Sequence, residues 1–306
     1  MSTDSSQSTD VATRKSTVGE GVRQLVGSSR PLSWVNTAYP FGAAYLLAGG
    51  GLDLVFWCGV VYFLVPYNLL MYGVNDVFDY ESDLRNPRKG GVEGLVLDNR
   101  WHRLTVWASV VSNAPFLVVL VLAGSWRSTA ALVVVVFAVV AYSAPGLRFK
   151  ERPVLDSMTS STHFTGPAVF GYLLAGSQLT ATAGVVFGAF FLWGMASQAF
   201  GAVQDITADK GGGISSVATW LGAAPTVRLA LAAYSLAGLT LLIGLDGPGR
   251  LAGLLTIPYV VSIWPFRSIP ESECESAHLG WRRFLVLNFV TGFLLTQLLI
   301  WVARAG

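Results

Sequence analysis

Two clusters of aspartate residues each follow directly after a long apolar run in the sequence. The first cluster spans residues 75–83 and reads NDVFDYESD. If the preceding helix continues through it, Asp76, Asp79 and Asp83 lie on one helical face, at positions i, i+3 and i+7. Three like charges on one face repel one another, so the pattern needs either a bound cation or a cluster of arginine and lysine to offset it. Carboxylate oxygens suit Mg²⁺, which commonly takes one or two carboxylates together with substrate phosphate oxygens.

The second cluster consists of Asp205 and Asp209, at the end of a later apolar run. Their spacing of four places both on one helical face. Lys210 follows, and Gly211–Gly213 are predicted to form a flexible loop. Acidic groups at the carboxyl end of a helix oppose the helix dipole, so a bound cation would offset the cost of this placement as well.

Basic residues are found on two loops near these clusters. One loop, residues 85–91, reads RNPRKGG, and the other, residues 142–152, reads YSAPGLRFKER. Mg²⁺ would bridge the carboxylates to a diphosphate, and arginine or lysine would neutralise the remaining oxygens as the diphosphate leaves. The same residues would also serve to orient the chain in a membrane, so Arg148 and Lys150 fit either role.

The composition indicates that the chain is embedded in a membrane. Of its 306 residues, 53% are hydrophobic and only 12% are charged, compared with about 25% charged residues in soluble domains. We predict an all-α polytopic protein, since a spanning helix needs about 20 mostly apolar residues. The nine predicted spans are residues 31–49, 53–75, 103–123, 128–144, 156–175, 181–204, 223–245, 250–266 and 282–303.

The distribution of charge predicts how these spans are oriented. With the N-terminus in the cytoplasm, all but three of the 20 lysine and arginine residues fall on the cytoplasmic side; the exceptions are Arg127, Arg250 and Arg304. The positive-inside rule therefore predicts a cell-membrane protein with its aspartate-bearing loops in the cytoplasm. We predict that residues 1–27 are a disordered cytoplasmic tail and that residues 28–306 form the transmembrane domain. The net charge of +2 gives no indication of nucleic-acid binding.

Polar residues within the predicted spans indicate an internal cavity. The first half of the fifth span contains three hydroxyl residues and His163, so this helix should face a protein-lined cavity and not lipid. One interpretation of His163 is a packing residue. The other is a base or hydrogen-bond donor that lines a cavity for a second substrate, the acceptor of the group that the diphosphate releases. Asn36, Asn68 and Gln198 have the same two interpretations.

The residue pattern does not identify the acceptor, and a transporter is the rival class of protein. A lipid-soluble acceptor could be an aromatic compound, a quinone precursor, a chlorophyll-like molecule or a carotenoid, because generic apolar surface binds them all. A transporter would place ionisable groups near the bilayer midplane. Here the carboxylates lie at the helix ends, which favours an enzyme.

The two aspartate motifs and the 142–152 loop resemble the signature of the UbiA superfamily of intramembrane prenyltransferases. The resemblance extends from about Ser28 to the end of the chain. It implies nine transmembrane helices around a central cavity, with Mg²⁺ and a prenyl diphosphate bound under two aspartate-bearing loops. The catalytic residues that it implies are Asp76, Asp79, Asp205 and Asp209. The metal ligands that it implies are Asn75, Asp76, Asp79, Asp83, Asp205 and Asp209. The diphosphate contacts are predicted to be Asn75, Arg88, Lys89, Tyr142, Arg148, Lys150 and Lys210.

Residues 33–42, 71–83 and 160–164 more closely resemble the members of this superfamily that act in C50 carotenoid synthesis. That resemblance implies dimethylallyl diphosphate as the donor and lycopene as the acceptor, prenylated at both of its ends. It also implies membrane lipid and other enzymes of carotenoid synthesis as the partners of the chain. Asn36, Asn68, His163 and Gln198 are the candidate residues of the acceptor cavity.

Overall fold

The computed structural model describes residues 18–80, 84 and 97–305, and within these ranges every regular element is helical. Short 3₁₀ segments join several of the α-helices. The α-helices are α1 Val18–Ser28, α2 Trp34–Leu47, α3 Leu54–Phe78, α4 His102–Ala123, α5 Trp126–Ser143, α6 Leu155–Leu174, α7 Ala181–Val203, α8 Ile206–Gly212, α9 Val217–Leu221, α10 Ala223–Gly244, α11 Ile257–Ile263 and α12 His278–Ala305.

Each of the nine predicted spans overlaps a helical segment, which confirms the prediction of an all-α polytopic membrane protein. Among the described residues, six helices are long and apolar enough to cross a membrane. They are Leu54–Phe78, Asn99–Ala123, Trp126–Ser143, Ala181–Val203, Ala223–Gly244 and Glu271–Arg304. The count of nine spans stays a prediction, because the other three segments are shorter or more polar.

Two of the predicted segments differ from the structure. Residues 250–266 were expected to form one α-helix, but a 3₁₀ segment, Gly247–Thr256, precedes the short α11. Pro258 lies in the first turn of α11, where its missing N–H is tolerated, whereas it would break a helix that began at residue 250. The predicted disorder of residues 1–27 is wrong for the last ten of them, which belong to α1. Residues 1–17 lie outside the described part of the chain.

Helix α6 lies at the centre of the packing, against α2, α5 and α7. Close approach of its neighbours depends on glycine. A Cβ on Gly171 of α6 would lie 2.5 Å from the carbonyl oxygen of Phe41, and one on Gly194 of α7 would lie 2.3 Å from the Ser161 hydroxyl. The hydroxyl of Ser161 donates to the carbonyl of Phe191. Most of the polar half of α6 is therefore buried within the protein, although the hydroxyl of Thr162 is exposed.

Helix α3 contains a break that polar side chains repair. Pro66 has no N–H, so carbonyls in the preceding turn lose their usual helical donor. The buried Asn68 amide donates to the carbonyls of Phe63 and Leu64, at 2.7 and 3.1 Å, and also to the hydroxyl of Thr37 in α2. This side chain therefore satisfies the freed backbone groups and ties α3 to α2.

We expect Asn68→Leu to lower the stability of the protein by about 1–3 kcal/mol, because the carbonyls of Phe63 and Leu64 would lose the amide donor, and the Thr37 hydroxyl serves only the first of them. Thermal unfolding of the purified protein in detergent measures the effect. Thr162→Val is the matched control, since the Thr162 hydroxyl is exposed and bonds only to the carbonyl of Met158 in its own helix. Equal melting temperatures for the two variants would contradict the role of Asn68.

Candidate active site

The first aspartate motif lies where α3 ends. The helix continues through Asp76 and stops at Phe78, so Asp79 occupies the C-cap position. Asp76 is fully buried, and its Oδ1 accepts a hydrogen bond of 3.1 Å from the guanidinium of Arg30. Asp83 lies outside the described residues, so its predicted place on the same face stays a prediction.

Arg30 is a member of this site that sequence reasoning missed. It follows α1 and precedes α2, and its guanidinium also lies over the ring of Tyr72, 4.3 Å from the ring centroid. Its backbone is left-handed, with φ of 50°. Among the described residues only two other non-glycine residues have positive φ, and one of them is Arg148. Such backbone strain costs about 1–3 kcal/mol and is typical of functional sites.

The loop after α5 brings its basic side chains to the first motif. The ammonium group of Lys150 is paired with the carboxylate of Asp79, and the guanidinium of Arg148 lies 3.9 Å from the same carboxylate. The Oδ1 of Asn75 accepts a hydrogen bond of 2.8 Å from the hydroxyl of Ser143, at the end of α5. Lys150 reaches this oxygen as well, at 3.5 Å. The structure thus brings Asn75, Asp79, Arg148 and Lys150 together.

Lys150 also connects the first motif with the second. Burial lowers the pKa of Lys150 to about 8, and the negative charge of Glu151 opposes that shift. The carboxylates of Asp76 and Asp209 act in the same direction as Glu151 and raise the pKa of Lys150. The carboxylates of both motifs thus favour the charged form of the same ammonium group.

The second motif has a different local structure from the one expected. Helix α7 ends at Val203, and Asp205 is the N-cap residue of the separate helix α8, with Asp209 in its first turn. The predicted position of the two aspartates at the carboxyl end of a long helix is therefore wrong. They lie at the amino end of α8, where the helix dipole stabilises negative charge. Gly211 and Gly212 belong to α8 and do not form a loop, while Gly213 ends the helix with φ of 69°.

Of the remaining predicted diphosphate contacts, the structure describes Lys210 and Tyr142. Lys210 is paired with Glu271, on the segment before α12, and this pair is half exposed. Tyr142 lies under the first motif, next to Ser143, with Arg30 and Asp209 among the charged groups that act on its phenol. Arg88 and Lys89 lie outside the described residues.

The candidate acceptor residues lie at different depths. His163 is buried, and its ring packs edge-on against Tyr142, with 5.2 Å between ring centroids. Tyr142 precedes Ser143, whose hydroxyl bonds to Asn75, so this ring contact connects His163 with the first motif. Gln198 of α7 accepts a hydrogen bond of 3.0 Å from the hydroxyl of Ser160. Asn36 is half buried on α2, and Asn68 is committed to the break in α3.

Two further residues that the sequence did not indicate support the second motif. Asp156, in the first turn of α6, is 1% exposed, and its Oδ2 accepts a hydrogen bond of 2.9 Å from the backbone N–H of Val217. Val217 begins α9, so Asp156 anchors the far end of the segment that carries the motif. On the near side, Gln204 precedes Asp205, and its Oε1 lies 2.8 Å from Nδ1 of His278.

The donor atoms at the site can be compared with the needs of a divalent cation. Within the described ranges, no three carboxylate, imidazole or thiol side chains lie close enough together to hold a metal ion by themselves. The donors present are oxygens, from two carboxylate motifs and the amide of Asn75. This set fits Mg²⁺, which takes few protein ligands and keeps water and phosphate oxygens in its shell. The fully buried charge of Asp76 also fits a site that receives positive charge.

We expect Arg30→Gln to destabilise the protein by about 3 kcal/mol, because it leaves the buried carboxylate of Asp76 without this cation. Thermal unfolding without added metal measures the effect. Arg23→Gln in α1 is the control, since Arg23 is exposed and its removal changes the net charge equally. A loss of stability as large in Arg23→Gln would contradict the contribution of the buried pair.

Comparison with known proteins identifies the family of this chain, in agreement with its fold and its candidate site. The chain belongs to the UbiA prenyltransferase family, whose sequence profile matches residues 37–301. It is therefore a membrane-embedded prenyltransferase, as the resemblance of its motifs implied.

Its relatives narrow this class. The lycopene elongase/hydratase of Corynebacterium glutamicum is 52% identical over 281 residues, which cover 92% of this chain and 98% of that protein. The C(50) beta-cyclic carotenoids biosynthesis protein LbtBC of Dietzia sp. (strain CQ4) is 53% identical over 277 residues, which cover 90% of this chain and 64% of that protein. This chain is thus similar to enzymes of carotenoid synthesis.

A solved structure confirms the fold. The UbiA homolog from Archaeoglobus fulgidus, in a structure bound to DMAPP and Mg²⁺, superposes with a TM-score of 0.66. The match covers 88% of this chain and 98% of that one, at 15% sequence identity. At this identity the likeness shows the fold alone.

Proposed function

We propose that this chain is a Mg²⁺-dependent lycopene elongase, which transfers dimethylallyl units from dimethylallyl diphosphate to the ends of lycopene. The observation that carries the choice of acceptor is the 52% identity with a lycopene elongase/hydratase over nearly the whole chain. The convergence of two carboxylate motifs with Lys150 and Arg148 supports diphosphate as the leaving group, because it combines ligands for a cation with donors for the free oxygens.

The proposed roles of the residues follow from their positions. Mg²⁺ would be held by carboxylates of the two motifs and by Asn75, and when bound it would supply the positive charge that draws electrons towards the departing diphosphate. Lys150 and Arg148 would donate to diphosphate oxygens. Asn75, Asp83, Arg88, Lys89 and Lys210 keep the roles that the motif resemblance implies.

The buried layer beneath the motifs would protect the reaction from water. As the bond between carbon and the diphosphate oxygen breaks, the allylic carbon becomes positively charged, and an apolar surrounding prevents its hydrolysis. Its first carbon would then bond to the terminal alkene of lycopene. The resulting tertiary cation would lose a proton to a base, or would take up water and release a proton, which matches the second activity in the name of the relative.

Product analysis tests this proposal. Membranes that contain the chain are incubated with lycopene, dimethylallyl diphosphate and Mg²⁺. The pigments are then separated, and their molecular masses are measured by mass spectrometry. We expect carotenoids that are longer by one and then two isoprene units, with or without added water. Transfer to an aromatic, quinone-precursor or chlorophyll-like acceptor, and none to lycopene, would refute the proposed acceptor while keeping the enzyme class.

We also propose that the N-terminus and the site face the cytoplasm, which the distribution of basic residues supports. Nine spans would then put the last residues of α12 on the opposite side of the membrane. A reporter fused after Arg304 should therefore be active outside the cytoplasm. A cytoplasmic signal would refute this orientation.

A further inference from the structure

A groove of about 720 Å³ runs between α11 and α12. Its walls are apolar, with Pro258 and Val261 on α11 and Leu279 and Val286 on α12. Val261 and Val286 are both more than 60% exposed. The groove exists because α11 is short and follows a 3₁₀ segment, so its side chains do not fill the surface of the long neighbouring helix.

Two arginines, Arg282 and Arg283, line the same groove. Both are exposed, and within the described residues neither takes part in an ion pair. Glu273 and Glu275, on the preceding segment, form no ion pair with them either. Two adjacent guanidinium groups above an apolar groove thus carry positive charge that other side chains of the described protein do not neutralise.

The groove has a defined place relative to the second motif. Helix α12 begins at His278, whose ring contacts Gln204 beside the second motif. Arg282 is one helical turn further along, about 6 Å from that point. The arginines therefore lie at the end of the bundle that carries the site, and the exposed apolar side chains of Val261 and Val286 continue the groove from them.

We propose that this groove binds an anionic phospholipid, with its phosphate on Arg282 and Arg283 and an acyl chain along the groove. The chemistry is complementary at both ends, since guanidinium groups pair with phosphate in two-pronged hydrogen bonds and basic pockets between transmembrane helices bind anionic headgroups. Within its span, α12 is also the least buried of the six long helices, so a bound lipid would supply packing that α12 lacks.

Native mass spectrometry of the full chain in detergent tests this proposal. The protein is mixed with equal amounts of phosphatidylglycerol and phosphatidylcholine that have the same acyl chains. We expect bound phosphatidylglycerol to exceed phosphatidylcholine. The double variant Arg282→Gln/Arg283→Gln should reduce that preference by about fivefold for each arginine removed.

A second groove provides the matched control. It has a volume of about 660 Å³, lies between α5, α6 and α7, and contains a single arginine, Arg127. Arg127→Gln should leave the lipid preference unchanged, whereas Val261→Trp should lower phosphatidylglycerol binding with both arginines in place. The proposal is overturned if the double variant keeps the preference of the unchanged protein, if Arg127→Gln loses as much, or if free glycerol phosphate displaces the lipid.

Discussion

Replacing Asp76 by asparagine is expected to lower the rate of prenyl transfer by about three orders of magnitude. The substitution keeps the shape of the side chain but removes a fully buried negative charge, which would hold the divalent cation against the diphosphate. Loss of one preorganised electrostatic group at a reacting centre typically costs a factor of about 10²–10³. The measurement is kcat with saturating lycopene, dimethylallyl diphosphate and Mg²⁺.

Two companion variants separate this effect from a loss of folding. Asp98→Asn removes a carboxylate that is paired with Arg100 on the surface, and it should keep nearly full activity. The double variant Asp76→Asn/Arg30→Gln removes both members of the buried pair, so it should regain stability but not activity. Full activity of Asp76→Asn with added Mg²⁺ would refute the metal role of this residue.

Replacing Lys150 by methionine is expected to lower kcat/KM for the diphosphate by about a hundredfold. Methionine preserves much of the packing of the lysine stem, while it removes the ammonium group that is paired with Asp79 and acted on by the charge of Asp209. Charge-assisted hydrogen bonds to phosphate are among the strong ones, so the loss should appear both in binding of the donor and in departure of the diphosphate.

Arg152→Met is the control for Lys150, because Arg152 belongs to the same loop but is bonded to the carbonyl of Gly146 and lies against the ring of Phe149. We expect it to change kcat/KM less than threefold, in the range of about 1 kcal/mol or below for an exposed charge. An equal loss in the two variants would indicate general attraction of the diphosphate by the loop and would contradict a specific role for Lys150.

Much of the site could be predicted from the sequence because its chemistry is local. Asn75, Asp76 and Asp79 stand together after an apolar run, and Arg148 and Lys150 stand together after another. Direct contacts between these two groups follow once both runs are helices that end on one face. The polar start of α6 likewise indicated a helix that is buried within protein.

The parts that could not be predicted depend on long-range contacts or on breaks without a marker residue. Arg30 is 46 positions away from Asp76, and only the fold brings them together. Gly201 lies inside the last turn of α7, but no glycine or proline follows Val203, so the sequence does not show that Asp205 belongs to a separate helix. The amide of Asn68 could line a cavity. That it bonds instead to the carbonyls of Phe63 and Leu64 follows only once the geometry of the break is known.

The break between α7 and α8 has a consequence for altering this enzyme. Asp205 and Asp209 belong to the short helix α8 and not to α7, and the segment that carries them is anchored by Asp156 where α9 begins, at Val217. The position of the second motif is thus set apart from that of the residues along α7. We therefore expect substitutions along α7, such as at Gln198, to leave the two carboxylates in place.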